Sequence, residues 1–270
     1  MNSSPFKQSV SAAEREAALR RAEFSLSEFM KLRARGALCR EATEQLATEA
    51  ASAFLAHFQD HGAYLADAIT LLAEIATLEE PCLAEPGQRA TFPLLVEQLS
   101  DSFDPAYCSL YDRAFAQMIT HCRRLPAAKE LDAALRRFGL ESEAELLERK
   151  IRVSQRPPLT AAQRCQVRKV LVLSRVTLGA DVAITSVVLQ KAKRCFPQAE
   201  RLLIGSSKVR QLFGGDASLL FRHIPYDSNG TLLERLQSWL PVVRAVEEEV
   251  QGLRSDEYVL IDPDSRLLQL

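Results

Sequence analysis

The sequence predicts an α + α/β chain, in which an irregular helical bundle precedes a parallel α/β layer. Apolar residues recur at helical spacing as far as residue 155, and from residue 167 short apolar runs alternate with helical patterns. Between these regions lie Pro157 and Pro158, and two successive prolines do not fit inside a helix. We therefore predict a disordered tail over residues 1–10, an all-helical domain over 11–155, a linker over 156–166 and an α/β domain over 167–270.

Apolar stripes and helix-breaking residues predict the elements of the first domain. One helix starts near Ser11 and stops at Gly36, a second stops at Gly62, and a third follows. The cluster of Pro81, Pro86 and Gly87 indicates a loop. Further helices are predicted over residues 92–100, 105–124, 127–138 and 142–150.

Strands and helices alternate in the second domain. Strands are predicted over 169–173, 201–204, 219–224 and 258–261. Helical patterns separate them: one over 181–195, a short one that follows Gly205-Ser206-Ser207 and ends at residue 213, and one over 232–252 with a break at Pro241. The spacing of Ile184, Val188, Ala192 and Cys195 indicates the inward face of the first of these helices. Such alternation predicts a parallel sheet, and ligands bind parallel sheets where strands turn into helices.

Composition limits the classes of function. A formal net charge of −1 gives no bulk attraction to nucleic acid. The six cysteines form no C-x-x-C pair, which favours reduced thiols in a cytoplasm. The first ten residues lack the apolar segment of a signal peptide, and no run approaches the ~20 apolar residues that span a bilayer. We expect a cytoplasmic protein with no transmembrane segment and no nucleic-acid partner.

The loop after the first strand carries the candidate binding residues. Hydroxyls and a guanidinium there suit a sugar or its phosphate, and a glycine permits close approach of a ligand. These residues are Ser174, Arg175, Thr177, Gly179 and Thr185. The loop lacks G-x-G-x-x-G, which argues against a dinucleotide site. Asp181 by itself is typical of a helix N-cap.

A second polar group follows the fourth strand. Its members are Asp262, Asp264, Ser265 and Arg266. They suit sugar hydroxyls, although Asp-Pro-Asp-Ser is also an ordinary turn. Because both groups follow parallel strands, we expect them to face one crevice. Elsewhere, His57 and His61 have a spacing that can bind a metal, but no third ligand is evident and an ordinary amphipathic helix is favoured.

The second domain resembles glycosyltransferase family 9, the heptosyltransferase-like group. The similarity lies in the apolar run 170–173, the loop 177–181, Thr185 with Ser186, Phe196 with Pro197, the strand 201–204 and the segment 258–266. It covers roughly residues 167–270. Ala180 stands between Gly179 and Asp181, whereas the family usually has Gly directly before Asp.

The resemblance implies one Rossmann-like lobe of a two-lobed GT-B enzyme. Such an enzyme moves a hexosyl or heptosyl group from a nucleotide-sugar donor to a saccharide acceptor, with inversion and without a cofactor or an essential metal. Asp181 would be the catalytic base, and the other candidates would bind the acceptor. The family's second, donor-binding lobe has no counterpart in this sequence, so we expect part of a longer enzyme or a relic. The alternative is a non-catalytic protein with a helical interaction module and a degenerate sugar- or nucleotide-binding domain.

Overall fold

The computed structural model describes residues 12–101, 104–174, 181–224 and 230–263. The chain divides into two compact units. The first holds residues up to 129 together with 141–144 and 231–233, and the second holds the remainder. The domain division predicted near residue 155 stays a prediction, and these units place most of residues 130–154 with the sheet.

The first unit is helical throughout its described elements. These are α1 (Ala12–Ala34), α2 (Arg40–His61), α3 (Ala66–Ala76), α4 (Pro81–Arg89), a π-helical segment (Ala90–Val96), α5 (Glu97–Asp101) and α6 (Pro105–Cys122). Helix α3 packs against α1, α2, α4 and α6. Its side chains Ile69, Leu71, Leu72 and Ile75 are fully buried, so α3 is the centre of this core.

The predicted loop at Pro81, Pro86 and Gly87 is wrong, because these residues form helix α4. Pro81 occupies the first turn, where a missing N–H costs no hydrogen bond. A Cβ on Gly87 would lie 2.5 Å from the backbone nitrogen of Ala76, so only glycine lets α4 approach α3 this closely. Packing between helices therefore overrides the local tendency of proline and glycine to break a helix.

The second unit contains the sheet. The 3-10 turn (Pro126–Ala128) still belongs to the first unit, as do residue 129, residues 143–144 and residues 232–233 of the helices given next. The elements that follow in chain order are α7 (Lys129–Arg137), α8 (Glu143–Ser154), α9 (Ala161–Gln166), β1 (Lys169–Leu173), a π-helical turn (Asp181–Thr185), α10 (Ser186–Cys195), β2 (Glu200–Gly205), α11 (Ser207–Phe213), β3 (Leu219–His223), α12 (Leu232–Gln237), α13 (Trp239–Glu249) and β4 (Tyr258–Ile261). Helix α9 lies inside the predicted linker, where Thr160 and Gln163 form a capping box. The helical break falls at Ser238, and Pro241 lies in the first turn of α13, where proline is tolerated.

The four strands form one parallel sheet in the order β3-β2-β1-β4, which confirms the predicted parallel sheet. Alternate residues of β1 face two apolar layers. Val170 and Val172 belong to the cluster that includes Leu189, while Leu171 and Leu173 belong to the one that includes Val242. Central strands of a parallel sheet are buried on both faces, and the continuous apolar run of β1 reflects that position.

The predicted inward face of helix α10 is partly wrong. Ile184 is 45% exposed, whereas Thr185, Leu189 and Ala192 are buried. Thr185 points inward because its hydroxyl bonds to Asp181, and the π-helical turn changes the spacing from that point.

Lys169 forms two ion pairs at the amino edge of the sheet. Its Nζ donates to Glu249 at 2.6 Å and lies 3.1 Å from Glu200. Burial opposes the charge on Lys169, but the hydrogen bonds to Glu249 and Glu200 more than offset it and raise the pKa of its ammonium. The ammonium of Lys169 and the carboxylates of Glu200 and Glu249 therefore link β1, β2 and α13.

We expect Gly87→Ala to lower the free energy of unfolding by about 1–3 kcal/mol, because the new methyl overlaps the α3 backbone. Gly215→Ala is the matched control, since a Cβ there meets no atom within 4 Å. Urea denaturation of both variants measures the difference. Equal stability of the two variants would contradict the close approach of α3 and α4.

Candidate ligand-binding edge of the sheet

The carboxyl edge of the sheet contains a topological switch point. From β1 the chain adds β2 and then β3 on one side, and β4 then pairs with β1 on the other. In open α/β sheets, ligands bind in the crevice outside the carboxyl ends of the strands where this reversal occurs. The structure therefore directs attention to the residues that follow β1 and β4.

Ser174 directly follows β1 and is held in place by β2. Its backbone N–H donates to the carbonyl of Ile204 at 2.7 Å, and its side chain is buried. A Cβ on Gly205 would lie 2.9 Å from the Ser174 carbonyl oxygen and 3.1 Å from its Cβ. The absence of a side chain at Gly205 therefore allows Ser174 to lie against the end of β2.

A buried carboxylate joins the end of β1 to the following helix. Ser174 Oγ donates to Asp181 Oδ1 at 2.5 Å, and Thr185 Oγ1 donates to the same oxygen at 2.9 Å. Asp181 is 4% exposed and Thr185 is fully buried. A buried carboxylate needs donors to replace its lost water, and these two hydroxyls supply them.

Within the described part of the chain, the hydrogen bonds to Asp181 reach one of its two carboxylate oxygens. Both hydrogen bonds described above use Oδ1, and among the described residues none donates to Oδ2. A carboxylate fixed by one oxygen can accept a proton or a hydrogen bond from a ligand through the other. Asp181 is thus both a local anchor and a candidate base.

The structure brings together three of the predicted site residues: Ser174, Asp181 and Thr185. Asp262 directly follows β4, whose Ile261 is in register with Val172 of β1, so it emerges at the same sheet edge. The remaining predicted residues lie outside the described part of the chain. They are Arg175, Thr177, Gly179, Asp264, Ser265 and Arg266. The acceptor contacts predicted for all of these residues stay predictions.

Sequence reasoning missed the contribution of β2 and β3 to this edge. Gly205 lies at the end of β2, and its lack of a side chain makes room for Ser174. A cavity of about 230 Å³ lies beside it, between the carboxyl ends of β2 and β3. Polar residues after the second and third strands of a predicted parallel sheet were the available signal.

The histidine pair of α2 lies in the other unit. The rings of His57 and His61 are 4.7 Å apart between centroids, and His57 is buried. Burial lowers the pKa of His57, and the positive charges of His61 and Arg15 lower it further. Within the described ranges, no group of three or more His, Cys, Asp or Glu side chains is placed to hold a metal ion.

Comparisons with family models, curated proteins and solved structures yield no match to this chain. The fold itself consists of a helical unit and an α/β unit with a four-stranded parallel sheet. In the described residues, every helix is too short or too polar to pass through a bilayer.

Thr185→Val should lower the free energy of unfolding by about 1.5–3 kcal/mol, because it removes a hydrogen bond to a buried carboxylate. Thr185→Ser keeps the hydroxyl and should cost less. In the Asp181→Ala background the two variants should differ little, since the acceptor is gone. Urea denaturation of the four proteins measures this coupling, and an unchanged gap between valine and serine would rule it out.

Acidification should destabilise the first unit through His57. Its pKa is lowered in the folded protein, so the unfolded chain binds more protons as the pH falls through the ordinary value of about 6.5. The contribution of His57 to the free energy of unfolding is therefore fully present above that pH and is lost as the pH falls below it. We expect His57→Gln to show a smaller loss between about pH 7.5 and about pH 5.5 than the wild type. Urea denaturation at both pH values provides the measurement, and an equal loss would contradict the assignment.

Proposed function

We propose that the α/β unit is the acceptor-binding lobe of a glycosyltransferase and that Asp181 is its catalytic base. The observation that carries this proposal is the carboxylate of Asp181, fixed through Oδ1 by Ser174 and Thr185 beside the switch point of the sheet. The similarity of residues 167–270 to the heptosyltransferase-like family supplies the reaction class. The proposal extends the fold to half of a GT-B enzyme, in the cytoplasm.

The proposed reaction needs a base at one position. An acceptor hydroxyl gives its proton to Asp181 Oδ2 while its oxygen bonds to the anomeric carbon of the donor sugar. The bond from that carbon to the nucleotide diphosphate breaks, and the diphosphate leaves with the electron pair. No cofactor and no metal enter this step.

Each neighbouring residue has a separate role in the proposal. Ser174 and Thr185 position Asp181, because their hydroxyls occupy the oxygen that does not receive the proton. Asp262 approaches from β4 on the other side of the crevice and binds acceptor hydroxyls. Arg175, Thr177 and Gly179 complete the acceptor site from the β1 loop, and Asp264, Ser265 and Arg266 complete it from the segment after β4.

A second candidate function is favoured by the burial of Asp181. At 4% exposure, with two hydroxyl donors on one oxygen, the carboxylate also serves as a purely structural link between strand and helix. The α/β unit would then bind a sugar or nucleotide without transfer, and the helical unit would be an interaction module. The two candidates differ in whether Asp181 is needed for turnover or only for stability.

The test is turnover by the complete protein with nucleotide-sugar donors and saccharide acceptors. We expect Asp181→Asn to lower kcat by about 10²–10⁴-fold, because an amide cannot take the proton yet still accepts both hydroxyl hydrogen bonds. Release of the nucleotide diphosphate measures the rate.

Asp256→Asn is the matched control, because Asp256 is an exposed acid before β4 at the opposite edge of the sheet. It should keep wild-type turnover. Wild-type turnover by Asp181→Asn removes the base from the mechanism. Ligand binding without turnover in every protein supports the non-catalytic candidate instead.

A further inference from the structure

The cavity between the carboxyl ends of β2 and β3 is a second polar site of the α/β unit. Its floor is apolar and belongs to the core: Leu203 and Val209 are buried, and Phe221 packs against the same cluster. Ser206, Ser207, Arg210, Arg222 and His223 form its polar rim. The site lies on the side of β1 away from the β1–β4 crevice.

The described part of the rim is rich in hydrogen-bond donors. The described residues that line the cavity include two arginines, two serines and a histidine, but no Asp or Glu. Arg222 forms ion pairs with Glu248 and Glu249 of α13, so its charge is already balanced. Arg210 is exposed, and among the described residues no carboxylate pairs with it.

An exposed guanidinium that lines the same cavity as two serine hydroxyls is suited to binding a phosphate group. Arginine donates two parallel hydrogen bonds to phosphate oxygens, while hydroxyls and a ring N–H satisfy the others. A carboxylate offers two acceptor oxygens, which one guanidinium can occupy, whereas a phosphate monoester offers three unesterified oxygens and can engage the arginine and the serine hydroxyls together. The donor set therefore fits a phosphate better than a carboxylate.

The volume limits the size of what binds. At about 230 Å³ the cavity is smaller than the roughly 300–1,000 Å³ of sites that enclose a drug-sized ligand. A phosphate with a small organic body fits within this volume. The apolar floor of Leu203, Val209 and Phe221 offers contact to that body.

We propose that this cavity binds the phosphate group of a small phosphorylated molecule, with Arg210 as the principal ligand of the phosphate. The inference goes beyond the proposed function, because it requires neither Asp181 nor any transfer reaction. If the cavity does not bind phosphate, the proposal of glycosyl transfer is unaffected. If the protein does not transfer a sugar, the proposal of phosphate binding is unaffected.

The test is direct binding to the full chain at constant ionic strength, measured by titration calorimetry. The probes are ribose 5-phosphate, ribose and inorganic phosphate. We expect ribose 5-phosphate to bind, ribose to bind at least about tenfold more weakly, and inorganic phosphate to bind more weakly than the ester. Equal affinity for ribose 5-phosphate and ribose would overturn the site. Equal affinity for inorganic phosphate would overturn its assignment to an ester.

Variants locate the site on the chain. Arg210→Gln should weaken ribose 5-phosphate binding at least about tenfold, and Arg210→Lys should weaken it less, because the charge remains while the planar fork is lost. Arg194→Gln is the matched control: Arg194 is an exposed arginine of α10 that does not line the cavity, and its loss should change nothing. Circular dichroism checks that each variant is folded. Wild-type affinity in Arg210→Gln, or the same loss in Arg194→Gln, would overturn the proposal.

Discussion

A single carboxylate oxygen connects the central strand of the sheet to the helix that follows it. Asp181 Oδ1 accepts hydrogen bonds from Ser174 at the end of β1 and from Thr185, one turn further along the chain than Asp181 itself. All three side chains are buried, so water cannot take over these bonds if one partner is lost. The orientation of the first turn of that helix, and of the side chains on that turn, therefore depends on Asp181 Oδ1.

This arrangement requires a residue without a side chain at the end of the neighbouring strand. Ser174 lies against Gly205, and the Ser174 N–H bonds to Ile204 of the same strand. The end of β2 thus fixes the serine, the serine fixes the aspartate, and the aspartate fixes the helix. The strand order places β4 on the other side of β1, so polar residues from both strands meet at one edge. In open parallel sheets, ligands bind at such an edge, where the strand order reverses.

The sequence predicted well those parts of the fold that depend on local pattern. The apolar runs of β1 and β4 have the predicted bounds, because strands with a continuous run of Val, Leu and Ile stand out from helical spacing. The parallel sheet followed from the alternation of elements. Asp181 and Ser174 could be proposed as site residues because both lie where a strand turns into a helix.

The failures arise from specific contacts that apolar periodicity and residue propensity do not reveal. Pro86 and Gly87 suggest a loop by themselves, but contact with α3 makes them part of a helix. Ile184 fits an inward stripe by spacing, yet the bond from Thr185 to Asp181 turns the helix and exposes it. The cavity at β2 and β3 is formed by residues that become neighbours only when the two strands pair.

Helix α3 constrains how the helical unit can change over time. Seven of its eleven residues are buried, and four neighbouring helices contact it. Such positions accept only exchanges that conserve volume, whereas the outer surfaces of α1 and α2 face no such restriction. Substitutions should therefore accumulate around α3 and spare it, so that a descendant of this bundle would keep the pattern of one central helix long after its surface had become unrecognisable.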